Sequence, residues 1–262
     1  MDLGFNKDDS VLVTGGSRGI GAAIVHALAA EGVQDIQVVG RDRGSLESLA
    51  QDVLATRDVR LGQLVLDLSL AEDRARLAET MPRIDILVNN AGAIPQGGLL
   101  GADLDAWRRG WELKVWGYIE LTKMALEPMT ARGSGVILNI IGVSGERPDA
   151  SYVAGSAANA ALMTLTRAVG AHSLDEGVRV VGINPGPVET DRLIDALRGR
   201  AASEFGDAGR WRDYAAGYPA HRIATPEDVA QTAVFLASPR SSYTSGTVVT
   251  VDGGMAWRGR AL

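Results

Sequence analysis

The chain of 262 residues has no cysteine. Disulfides, thiolate metal sites and cysteine nucleophiles are therefore excluded at once. Histidine is scarce, with only His26, His172 and His221, far apart in sequence. No imidazole-based metal site is expected from them. Aromatics make up 5% of the chain. No apolar run approaches the ~20 residues that a bilayer-spanning helix needs. Basic residues are scattered, and the net charge is −6. That balance speaks against a surface for duplex nucleic acid. Met1 to Ser10 is polar and acidic, so no secretory leader is expected there. These absences predict a cytoplasmic protein with no metal, membrane or nucleic-acid partner.

What is present is the balance of a folded globular chain: 46% hydrophobic and 22% charged residues. Short runs rich in Val, Ile and Leu recur at Ser10–Thr14, Ile36–Gly40, Gly62–Leu66, Ile84–Val88, Val136–Ile141, Arg179–Ile183 and Thr247–Val251. They are apolar on both faces, which predicts strands buried in a parallel sheet. Between them lie amphipathic segments, including Gly19–Ala30, Gly44–Thr56, Leu104–Met129, Val153–Leu174 and Pro226–Ala237. Alternating strands and helices predict one α/β domain over residues 1–262, with a doubly wound, seven-stranded, mainly parallel sheet and helices on both faces. Residues 188–225 read as one long irregular stretch holding Trp211, Tyr214, Tyr218 and Pro219. Long loops of this kind in compact domains are commonly binding loops or lids.

The first strand runs into Thr14-Gly15-Gly16-Ser17-Arg18-Gly19-Ile20-Gly21, which opens the first helix. Gly15, Gly19 and Gly21 allow a tight turn, close backbone approach to a pyrophosphate, and close helix–strand packing. The helix N-terminus then offers free N–H groups and the positive end of its dipole to that anion, with Ser17 and Ile20 in the same loop. The motif's context is that of a Rossmann dinucleotide site. The second strand ends at Gly40, followed by Arg41 rather than an acidic residue. An arginine there accommodates a 2′-phosphate, with Arg18 as a second cation, so NADP(H) is expected in preference to NAD(H). Asp42 beside them speaks partly for two merely solvated arginines.

With these residues in view, the chain resembles the short-chain dehydrogenase/reductase family over essentially its whole length. Thr14 to Gly21 reads as the family's TGxxxGxG. Asp67, with Leu68 after it, resembles the adenine-contacting position. Asn89-Asn90-Ala91-Gly92 resembles the motif that ends the fourth strand. Asn184-Pro185-Gly186, Val188 and Thr190 resemble the segment that holds the nicotinamide carboxamide. Val251-Asp252-Gly253-Gly254 ends the last strand as the family does. The resemblance implies the fold and a nicotinamide cofactor, not the chemistry.

Members of the family that move a hydride use Asn, Ser, Tyr and Lys, the lysine cation lowering the tyrosine pKa. In a gap-free register this chain has Lys114, Gly142, Gly155 and Asn159 at those four positions. Asn159-Ala160-Ala161-Leu162 reads like the family's K-A-A-L. A competing register puts Tyr152 at the tyrosine and Ser156 at the lysine, but requires a three-residue gap later in the helix. Lysine and asparagine thus look exchanged, with Tyr152 one turn before Gly155. Gly142 and Gly155 leave space for Tyr152 or for a bulky substrate group.

Three readings stay open. In the first, Tyr152 is the proton-transferring acid of an oxidoreductase acting on a small carbonyl or alcohol, Lys114 polarises it, Asn159 takes the exchanged place, and Ser144 or Ser151 assists. In the second, the protein binds NADP(H) but does aldol-type, hydrolytic or isomerising chemistry. In the third, it is a cofactor-sensing protein without turnover. Trp211, Tyr214, Tyr218 and Trp257 suggest an apolar wall for substrate. Arg192, Arg198 and Arg200 face either an anionic substrate or water. Family resemblance implies a homodimer through the two long helices, or a homotetramer using the last strand as well.

Overall fold

The structure is a computed structural model and describes residues 3–258. The ends of the expected 1–262 domain, residues 1–2 and 259–262, lie outside the described residues. Seven strands form one sheet, β1 Ser10–Thr14, β2 Asp35–Gly40, β3 Arg60–Val65, β4 Ile86–Asn89, β5 Gly135–Ile140, β6 Val178–Pro185 and β7 Val248–Val251. Their order is β3-β2-β1-β4-β5-β6-β7, and every pair is parallel. Order reverses between β1 and β4, which opens a crevice at their carboxyl ends. That crevice is where open α/β sheets bind ligands.

Strands β1, β4 and β6 are buried throughout, as their continuous Val, Ile and Leu runs require. The edge strand β3 departs from the expectation. It has a neighbour on one side only, and its residues are exposed or half-buried. One apolar layer lies under α1 (Gly19–Ala30) and α8 (Pro226–Ala237), including Val11, Val13, Leu28, Val181 and Val234. The other lies under α5 (Gly117–Arg132) and includes Leu12, Leu87, Leu121, Ile137 and Val180.

The expected single helix Leu104–Met129 is broken in two. Helix α4 (Leu104–Trp111) passes through a π-helical turn, Glu112–Trp116, before α5 begins. Such turns insert an extra residue into the ladder and concentrate at functional sites. Lys114 sits in the middle of this one. Helix α6 (Val153–Ser173) runs close to its expected bounds.

Residues 188–225 are not irregular, which corrects the reading from sequence. They contain α7 (Asp191–Phe205) and a 3-10 segment, Ala208–Gly217. These fold onto a small core of Leu197, Ala201, Trp211 and Ile223. Arg200 lies over the ring of Tyr214, Arg210 over Phe205 and Arg212 over Trp211.

Candidate active site

The glycine loop is built by close approach. Gly15 has φ +61°, and a Cβ there would meet the Ala91 Cα at 2.8 Å. A Cβ on Gly21 would meet the Gly15 carbonyl oxygen at 2.3 Å. Asn90 ties this loop to the end of β4: its Nδ2 donates to the carbonyls of Thr14 (3.1 Å) and Gly15 (2.9 Å). The Asn90 and Ala91 amides donate in turn to Thr14 Oγ1, at 2.9 and 3.1 Å. Across the groove, the Thr190 methyl would touch a Cβ on Gly19 at 3.2 Å. Gly186 donates its amide to the Val251 carbonyl at 2.9 Å, which fixes the turn after β6. Val188 is buried behind it. A cradle of bare backbone that a single methyl would fill is what a pyrophosphate requires. The residues present therefore fit a dinucleotide.

Arg18 and Arg41 are both exposed, and neither side chain makes a hydrogen bond or ion pair among the described residues. Asp42 is used elsewhere. It caps α2 (Arg43–Leu54), accepting from the Ser45 amide at 2.8 Å and the Ser45 hydroxyl at 2.5 Å. These bonds hold its carboxyl below the usual range, with Arg18 nearby adding to the effect. Asp67 also holds its own turn, accepting from Ser69 N (3.0 Å) and Ser69 Oγ (2.7 Å). Leu68 is buried, and its carbonyl accepts from Arg74 at 2.9 Å.

Lys114, beside Gly92 and Ile141, and Asn159, beside Gly142 and Ser144, lie beyond the ends of β4 and β5. Lys114 lies alongside Gly92, where a Cβ would meet its Cδ at 3.0 Å. Its Nζ donates to the Ile141 carbonyl at 2.5 Å. Burial pushes the Lys114 ammonium down to about 8, and the charge of Arg192 adds to this. Gly142 has φ +137°, and a Cβ there would meet Asn159 Nδ2 at 2.7 Å. That Nδ2 donates to Ser144 Oγ at 2.8 Å. Asn159 Oδ1 is buried without a hydrogen-bond partner among the described residues. The asparagine thus stands against Gly142. Ser156, the lysine position of the competing register, instead accepts from the Asp149 amide at 3.0 Å.

Tyr152 does not lie within α6 but at its N-cap. Its ring folds back over Gly155, and a Cβ on that glycine would meet the Tyr152 Cζ at 2.0 Å. The ring fills the space that a side chain at position 155 would occupy. Its hydroxyl, one bond beyond Cζ, stays near the α6 backbone. The ring packs in an apolar group with Ile94, Val115, Ala154 and Ala158. No hydrogen bond joins it to Lys114 among the described residues. Ser151 is spent on Asp149 Oδ1, at 2.8 Å from its amide and 2.7 Å from its hydroxyl.

The expected aromatic wall does not form. Trp211 is core, Tyr214 donates its hydroxyl to Glu204 at 2.7 Å, and Trp257 is 80% exposed. Tyr218 packs against the same small core as Trp211. Arg192, by contrast, was one of three equivalent arginines in the sequence and is singled out by the structure. Its Nη2 donates to the Ile94 carbonyl at 2.5 Å, across the groove from α7. A cleft of about 640 Å³ between α1, α8 and residues 189–191 shares only Gly19, Thr190 and nothing else of the cradle.

A switch-point crevice, a glycine cradle and an ionisable cluster beyond it define a nicotinamide-dinucleotide-dependent oxidoreductase. Residues 15–256 match the family model described as enoyl-(acyl carrier protein) reductase. The chain is 33% identical to 2-(S)-hydroxypropyl-CoM dehydrogenase 3 of Xanthobacter autotrophicus, over 95% of this chain and 97% of that one. It is 34% identical to galactitol 2-dehydrogenase (L-tagatose-forming) of Cereibacter sphaeroides, over 92% of each. The structure of L-sorbose reductase from Gluconobacter frateurii, complexed with NADPH and L-sorbose, superposes with a TM-score of 0.90 at 29% identity, covering 99% of this chain and 100% of that one. The chain belongs to the short-chain dehydrogenase/reductase family.

Proposed function

We propose that this protein is an NADP(H)-dependent oxidoreductase of a small carbonyl or alcohol, in which Lys114 takes the proton-handling role that a tyrosine has elsewhere in the family. The observation that carries the reading is the Lys114 ammonium at the ends of β4 and β5, beside Gly92 and hydrogen-bonded to Ile141. When bound, the nicotinamide ring supplies or takes the hydride.

The glycine loop, Asn90 to Gly92 and Pro185 to Thr190 would hold that cofactor, and Arg18 with Arg41 would take its 2′-phosphate. One Lys114 N–H is committed to Ile141, which leaves two for a substrate oxygen. An ammonium titrating near 8 gives up its proton far more readily than an ordinary lysine, so it serves as general acid in reduction and as base in oxidation. Ser144, oriented by Asn159, offers the substrate a hydroxyl. Tyr152 packs over Gly155 beside Ile94 and Val115 and has a structural part.

The test is kinetic. Lys114→Met is expected to lower turnover of NADPH with a carbonyl panel at least a hundredfold while calorimetric NADPH affinity holds. Tyr152→Phe is expected to keep most of its turnover. Full loss in Tyr152→Phe with near-normal Lys114→Met would reverse the two roles.

A further inference from the structure

We infer that the substrate carries an anionic group beside its reacting carbon, held between Arg192 and Lys114. This rests on reading the cluster as a hydride-transfer site.

Three arginines on α7 invite comparison. Arg198 pairs with Asp195 at 3.6 Å, and Arg200 with Glu204 at 2.8 Å. Arg192 has no carboxylate within ion-pair reach among the described residues. It spends one Nη2 hydrogen on the Ile94 carbonyl, a neutral acceptor. Lys114 likewise donates only to a neutral carbonyl, that of Ile141. Lys114 lies against Gly92, and Arg192 reaches the carbonyl of Ile94 two residues further on, so both cations flank one short segment; the charge on Arg192 makes Lys114 easier to deprotonate. The acidic neighbours of Arg192 do not relieve this, because Glu189 and Asp191 line the cleft on the α1–α8 side.

Two like charges flanking one short segment, with no carboxylate paired to either among the described residues, is an unfavourable arrangement in the free protein. An anion between them turns repulsion into two charge-assisted contacts. The planar guanidinium fork suits a carboxylate, sulfonate or phosphate, while the ammonium acts as a point charge beside it. Arg192 is exposed and Lys114 half-buried, so an anion entering from solvent meets the arginine first. The rival occupant is a phosphate of the cofactor itself, and the experiment separates the two.

Protein saturated with NADP+ is titrated by calorimetry at fixed ionic strength. The probes are 2-oxobutanoate, 2-oxopropane-1-sulfonate and dihydroxyacetone phosphate, each beside an uncharged counterpart: methyl 2-oxobutanoate, methylsulfonylacetone and dihydroxyacetone. At least one anion is expected to bind tenfold or more tightly than its counterpart. Arg192→Met and Lys114→Met should each cut that preference below threefold, and Arg192→Lys should retain part of it. The affinity of Arg192→Met for NADP+ should stay within twofold of the wild type. The inference is overturned if no anion is preferred, if the preference survives both substitutions, or if Arg192→Met loses NADP+ affinity tenfold. Anion preference without NADPH turnover would sink the hydride-transfer reading and leave the anion site standing.

Discussion

At the scale of single residues, two arginines and one lysine carry the functional argument. Arg18 and Arg41 stand exposed at the end of β2 while Asp42 is occupied as the cap of α2. Replacing Arg41 with aspartate removes a phosphate partner and supplies an acceptor for ribose hydroxyls. Arg41→Asp should weaken NADPH binding at least tenfold and leave NADH binding unchanged or improved, measured by calorimetry. Lys114 makes a second, opposite-signed pair of expectations. Its folded pKa of about 8 lies below the ordinary 10.5. Reduction needs the ammonium, so kcat/KM in that direction should fall above pH 8, whereas oxidation should rise through the same value. For stability, the unfolded chain binds more protons than the folded one between pH 8 and 10.5, so stability rises with pH across that window. Below pH 8 the folded protein carries the full cost of a desolvated cation. Lys114→Met should therefore raise the melting temperature at neutral pH, by a contribution of up to about 3 kcal/mol, while it destroys turnover. A melting curve beside a rate measurement checks both signs.

At the scale of elements, the packing of α6 decides how firmly the site is held. Gly170 brings this helix against β6 and the turn before β7: a Cβ there would meet the Gly246 amide nitrogen at 2.4 Å and the Val180 carbonyl at 2.5 Å. Both neighbours are backbone and cannot swing away. Gly170→Ala should cost about 2 kcal/mol or more by overpacking, seen as a melting point lower by several degrees, with Asn159 and Tyr152 displaced at the other end of the helix. Such elements were largely legible in the sequence. Buried parallel strands announce themselves as unbroken Val and Ile runs, and the observed bounds differ from the expected ones by a residue or two. The edge strand β3 obeys a different rule because one side has no neighbour. Helix α7 was missed although Leu193, Ile194, Leu197 and Ala201 carry helical spacing, since its remaining surface is polar and its core is supplied by Trp211 from outside the helix. The π-helical turn at Glu112–Trp116 has no proline to mark it. The cradle was legible for a steric reason, because Gly15 and Gly21 lie where no side chain fits. The space that Gly155 leaves for the Tyr152 ring was legible too, because the two lie three residues apart. The isolation of Arg192 was not, because it depends on partners distant in sequence.

At the scale of the whole molecule, what remains to be covered is the outer face of α6. Ala154, Ala158, Leu162 and Met163 of this helix are buried in the protein's interior. Ala157, Ala160, Ala161, Thr164 and Ala168 recur at helical spacing on the other side and are exposed. Small side chains permit two backbones to approach closely, and a self-complementary patch of this kind closes by two-fold symmetry. Near the start of α5, Trp116 is exposed as well, beside an apolar cleft of about 380 Å³ lined by Leu99, Leu104, Trp107 and Trp111. We expect the protein to be a homodimer, or a dimer of dimers, that covers the α6 face with the same face of a second copy. Light scattering after size exclusion should return twice or four times the mass of the chain. Ala161→Arg adds bulk and a charge at the centre of that face without touching the core. It should shift the mass toward the monomer while circular dichroism stays that of the wild type. A wild-type protein that runs as a monomer at micromolar concentration would show instead that this alanine face is meant for water, and that the cluster around Lys114 is complete within one chain.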